Sequence, residues 1–178
     1  MAEGEQRNSE MMIEILRNIR DSISVIIHEL NKVKKSLEAS EKKYILHIKK
    51  VKNTNHKDCI LNMVKILAVS RHFFEKIRMI KAILRSVSLE SSSWIRRMSS
   101  NHTMRPSAIA IKKMQKKINI AQKHIPSINF LNVFSMMETK EEITSDKIDN
   151  IFEGFEDYEE LESILEKFLV DLGIKVEA

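Results

Sequence analysis

The sequence predicts an all-α protein: a long antiparallel helical hairpin with additional shorter helices and an acidic C-terminal tail. Three observations predict it. Glycine and proline are scarce, at 3 and 2 of 178 residues, which disfavours sandwiches, barrels and glycine-dependent phosphate loops. Charged residues reach 31% against 6% aromatic, a balance suited to long amphipathic helices. Apolar residues recur with a helical period over two long stretches separated by a polar break.

The first helix begins near Ser9, a plausible N-cap, with Glu10 and Glu14 in its first turns where negative charge suits the helix dipole. It runs to about Val51 without Gly or Pro. Ile23, Ile26, Ile27, Leu30, Val33, Leu37, Tyr44, Ile45, Ile48 and Val51 share one sector at about 100° per residue. Lys32, Lys35, Lys42, Lys43, Lys49 and Lys50 share another, nearly opposite: one side packs and the other is a basic rail. Glu38 and Glu41 fall outside that rail.

The segment KNTNHK, residues 52–57, concentrates turn-favouring residues and reads as a tight reversal, with Asp58 able to cap the second helix. Its apolar repeat runs from Ile60 through Phe73, Ile77 and Leu84 to Val87 and Leu89, and its end lies between Leu89 and Met98. Pro106 in SSNHTMRPS breaks the chain again. A shorter basic helix spans about 107–124. Residues 127–139 are apolar and read as a short helix, which 140–151 continue weakly. Gly154 breaks the acidic run. A last amphipathic helix covers Tyr158 to Leu172, with Gly173 as its C′ residue.

Length fits one domain plus a tail. The division predicted is a basic helical core over 1–125 (hairpin about 10–98, third helix about 107–124) and an acidic regulatory tail over 126–178. The core holds 26 Lys and Arg against 11 Asp and Glu, a net of +15, while the tail holds 4 against 14, a net of −10; the formal total of +5 conceals both. Such a chain can fold back on itself or bind a partner of opposite sign. Nucleic acid and the anionic membrane face are the obvious candidates.

Cys59 is the one cysteine, so neither an intramolecular disulfide nor a Cys-based zinc site is expected, and a reducing compartment is the natural inference. The N-terminus MAEGEQRNSE is polar, and no run approaches the roughly 18 apolar residues of a membrane span. The chain is therefore expected to be neither secreted nor integral. His28, His47, His56, His72, His102 and His124 form no i, i+4 pair and read as surface or packing residues; Cys59 reads as a plain apolar position and Trp94 as packing. No catalytic constellation, metal site or cofactor site is expected, and the chain is not read as an enzyme.

The run LEASEKKYILHIKK with its doubled lysines, the lone Arg71 before aromatics in SRHFF, and MIKAILRSVSL resemble the core hairpin of the ESCRT-III, or charged multivesicular body protein, family. The closest resemblance is to the branch of vacuolar protein sorting protein two. AIKKMQKKINIAQ, KEEITSDKIDNIFEGFED and ESILEKFLVDLGI resemble that family's third helix, acidic linker and C-terminal helix, so the resemblance covers roughly Ile13 to Val176.

The resemblance implies a helical subunit, itself catalysing nothing, that is closed in the cytosol and opens on endosomal membranes. There it polymerises with other ESCRT-III subunits in membrane remodelling, scission, multivesicular body sorting and vacuolar transport. An AAA ATPase with an MIT domain takes the polymer apart through a C-terminal motif. Glu162, Leu165, Leu169 and Leu172 have that motif's acid-x-x-Leu-x-x-x-Leu-x-x-Leu spacing, but Phe168 stands where a basic residue is wanted. The sequence also ends soon after DLGI, where relatives continue, so the motif is expected to be incomplete.

The same helix can instead close the protein by laying its apolar stripe on the hairpin. The family's apolar and basic N-terminal segment is missing from MAEGEQRNSE, so membrane contact is expected to rest on the lysine rail or on sister subunits. The rival function is a basic helical adaptor binding nucleic acid or a partner protein. The rail's lack of stacking aromatics speaks against nucleic acid, and no small-molecule substrate is expected.

Overall fold

The computed structural model describes residues 2–54, 57–124 and 158–174. Among these the chain is all-α, with four helices: α1 (Ala2–Val51), α2 (Lys57–Ser100), α3 (Ala108–Lys123) and α4 (Tyr158–Asp171). The chain divides into two compact units, Met1–Lys32 with Ile77–Ile125 and Val33–Lys76 with Pro126–Ala178. The apolar segment 127–139, its continuation to 151, and Gly154 lie outside the described residues.

In the first unit, Ile13, Leu16, Ile23 and Leu30 of α1 are buried, as are Ile77, Ile80, Leu84, Val87, Ile95 and Met98 of α2. Their i, i+3/i+4 recurrence is the apolar stripe that amphipathic helices turn toward a core. Helix α3 adds Met114 and Ala121, both fully buried and two turns apart. Ser91 is buried on α2, and its hydroxyl donates to Met114 Sδ at 3.8 Å. Ser107 caps α3, its side chain accepting from the Ala110 N–H at 3.1 Å. That satisfies one of the amides a helix start leaves unpaired.

Ser9 does not cap α1. The helix starts at Ala2, with Glu3 and Glu5 in the first turn where carboxylates suit the dipole. Ser9 therefore lies in line with Ile13 and Leu16, fully buried, its hydroxyl without a hydrogen-bond partner. Leu89 is 72% exposed, because two residues beyond Val87 a helix presents its opposite face.

In the second unit, Leu37, Tyr44 and Ile48 of α1 face a stretch of α2 buried almost all round, from Ile60 to Phe73. A helix apolar on every side must be covered on every side. The reversal is built by Thr54, whose N–H and hydroxyl both donate to Val51 O, at 3.0 and 2.7 Å. Asp58 sits inside the first turn of α2 rather than capping it, since the helix begins at Lys57. Cys59 is exposed, not apolar packing.

Helix α4 ends as its sequence predicts. Gly173 takes φ 67°, a conformation that favours glycine. Its N–H donates to Val170 O at 3.1 Å and that of Ile174 to Leu169 O at 2.9 Å, the paired bonds of a Schellman cap. Replacing Ser107 by Ala should lower stability by about 1 kcal/mol through loss of the α3 cap, measurable as a reduced urea midpoint with an unchanged m-value.

Candidate functional site

Three sets of side chains in the second unit carry functional weight: the outer face of α1, a polar junction beneath it, and α4. On α1, Lys35, Lys42, Lys43, Lys49 and Lys50 are all exposed. Lys32, at the edge of the first unit, is exposed and pairs with Glu29 at 3.4 Å. Lys34, outside the rail, pairs with Glu38 at 3.9 Å. Leu46, 59% exposed, lies among the rail lysines, so this face combines positive charge with one apolar side chain.

The junction was not read from the sequence. Glu41 is 6% exposed in the stripe of Leu37, Tyr44 and Ile48, and at about 100° per residue it falls in their sector. That apolar neighbourhood was the available signal; its partner, thirty residues away, was not. Glu41 Oε1 accepts a charge-assisted hydrogen bond from Arg71 Nη2. Arg71 keeps 46% of its side chain exposed. Its guanidinium also lies over the rings of Phe74, at 5.8 Å, and of Phe168 on α4, at 5.3 Å.

One arginine thus meets α1, its own helix and α4. Burial pushes the Glu41 carboxyl above its ordinary 4.5, and the opposing attraction of Arg71 does not cancel this. Burial likewise pushes the Tyr44 phenol well above its ordinary value, with Cys59 adding to the effect. Glu41 Oε2, Tyr44 OH and the Ser70 hydroxyl are buried without hydrogen-bond partners. The junction is therefore under-satisfied and sensitive to substitution.

Helix α4 buries Leu161 fully and Leu172 to 6%. Ile164, Leu165, Phe168 and Leu169 are half-buried and Glu162 is exposed. Besides the stacking of Phe168 on Arg71, Glu160 Oε2 lies 3.8 Å from His72 Nδ1, an ion pair when the imidazole is protonated. In this structure α4 packs on α2. Among the described residues no group of three or more His, Cys, Asp or Glu could hold a metal, and no helix is long and apolar enough to cross a membrane.

Comparison with known proteins matches the Snf7 family over residues 15–177. The chain is similar to charged multivesicular body protein 2a of Gallus gallus, at 28% identity over 92% of this chain and 74% of the relative. It is similar to the 2a protein of Xenopus tropicalis, at 27% over 90% and 73%, and to the 2b protein of Danio rerio, at 25% over 79% and 66%. No solved structure gives a significant match.

Removing one partner of a buried pair strands the other charge, whereas removing both need not destabilise. Arg71→Leu alone should therefore cost about 2 kcal/mol, less than a fully buried pair because Arg71 is half exposed. Glu41→Leu/Arg71→Leu should recover most of that loss in urea unfolding. The pH dependence has a definite sign. Because folded Glu41 holds its proton more tightly than the unfolded chain does, its contribution falls as pH rises from the ordinary 4.5 through the raised native value, then levels. Glu41→Gln should flatten the stability profile over that window.

Proposed function

The chain belongs to the Snf7 family, the ESCRT-III proteins, and from that premise we propose how it performs the membrane remodelling and multivesicular body sorting of such a subunit. The family is structural rather than enzymatic, and this chain contributes surfaces, not a reaction. The exposed lysines of α1, Lys35, Lys42, Lys43, Lys49 and Lys50 with Lys32, touch an anionic membrane or the acidic parts of neighbouring subunits. At about 1 kcal/mol for each Lys near an anionic leaflet, such a face suffices for reversible adhesion.

Helix α4 restrains assembly while it is docked on α2. The observation that carries this reading is the stacking of Phe168 on Arg71, with Leu161 and Leu172 buried at either end of the helix. A helix held there cannot also offer Leu165, Leu169 and Leu172 to an ATPase's MIT domain, so docking and recruitment exclude each other. Residues 1–125 form the polymerising body and 126–178 the acidic restraint. The protein resides in the cytoplasm and acts peripherally on endosomal membranes, with other ESCRT-III subunits as partners.

Sedimentation with anionic liposomes tests this. Phe168→Asp in the full chain, and removal of the residues after Thr139, should each raise the polymerised and liposome-bound fractions several-fold. A chain so altered that stays monomeric and unbound, even with partner subunits present, would sink the restraint.

A further inference from the structure

Between Glu90 and Glu138 the sequence has no acidic residue and eight Lys or Arg. Five of these are on α3: Lys112, Lys113, Lys116, Lys117 and Lys123, all exposed. The arginines just before α3 are engaged, Arg97 over the Trp94 ring at 4.9 Å and Arg105 donating to Glu5 O at 2.9 Å. None of the five lysines has an ion pair or hydrogen bond from its side chain among the described residues. The α1 rail differs, since Lys32 shares its charge with Glu29 and the neighbouring Lys34 with Glu38.

With Met114 and Ala121 inward, the helical period of about 100° sets Lys112, Lys116 and Lys123 in one row and Lys113 and Lys117 in another. Ile109, 67% exposed, and Ile120, 39% exposed, fall between the rows. Two branched aliphatic side chains framed by unpaired lysines form the pattern of a helix lying in a membrane interface. There the apolar centre enters the headgroup boundary and the ammonium groups reach the phosphates. A nucleic-acid surface would gain little from isoleucine, and this face has no aromatic on which bases could stack.

We propose that the outer face of α3 is a docking face for an anionic lipid bilayer, with the five lysines on headgroups and Ile109 and Ile120 inserted between them. This rests on the membrane-associated reading above but assigns the contact to a different helix, in the other unit.

The test is vesicle flotation of the full chain, alone and with a partner subunit, on phosphatidylcholine with and without phosphatidylserine, at low and raised salt. Lys112→Glu/Lys116→Glu/Lys123→Glu should weaken binding to phosphatidylserine vesicles about tenfold or more. Ile109→Ser/Ile120→Ser should keep the low-salt binding but lose the fraction that survives raised salt. Lys42→Glu/Lys49→Glu should keep most binding. All substituted residues are exposed, and unchanged circular dichroism would confirm folding.

If the α3 triple variant binds like wild type while the α1 variant does not, the α3 face is refuted and the membrane reading stands. Binding at raised salt that ignores the isoleucine substitutions refutes insertion. If wild type binds no vesicle even with its partner, the membrane reading itself fails. Displacement of the chain from vesicles by a duplex oligonucleotide at equal charge concentration would overturn the proposal in favour of a nucleic-acid face.

Discussion

A carboxylate buried in an apolar stripe needs a cation, and in the second unit one side chain supplies it. Glu41 lies where α1 packs, Arg71 reaches it from α2, and the same guanidinium lies over Phe168 of α4. The pair adds little net stability, because desolvation of Glu41 offsets most of the attraction. Its effect is on register. A guanidinium can bond a carboxylate through its edge while presenting its face to a ring, a combination an ammonium does not reproduce. When Phe168 covers Arg71, water is kept from the ion pair and the attraction strengthens. The docking of α4 and the closure of α1 on α2 are thus coupled through one residue.

Much of the fold was legible because its causes are local. Ser107 and Gly173 end or begin helices through bonds to residues within a turn or two, and the alternation of lysines with Leu37, Tyr44 and Ile48 needs only the helical period. Ser9 misled because serine's capping preference is local while the helix start was set upstream by Ala2, Glu3 and Glu5. Leu89 misled because hydrophobicity alone does not specify a face.

The site was legible in its pieces and not in its assembly. Arg71 stood out in SRHFF, Glu41 was noticed only as falling outside the rail, and Phe168 as the residue that departs from an ATPase-binding spacing. Their meeting spans 30 residues in one direction and nearly a hundred in the other, and no periodicity encodes it. The departure at Phe168 acquires a physical reason: a basic residue there would face Arg71 and repel it, whereas a ring accepts it.

Helix α3 rests on its neighbours along a single line, Met114 and Ala121, with a serine hydroxyl against a thioether as its polar contact. A cylinder borne on one line resists lifting far more than rolling. Methionine, with three rotatable bonds, is a compliant bearing. A roll of one residue's arc would bring an isoleucine to where a lysine row had been, so the chemistry α3 shows to its surroundings is set by how Met114 sits beside Ser91. A bulkier or stiffer residue at either position would re-aim every lysine on the helix at once.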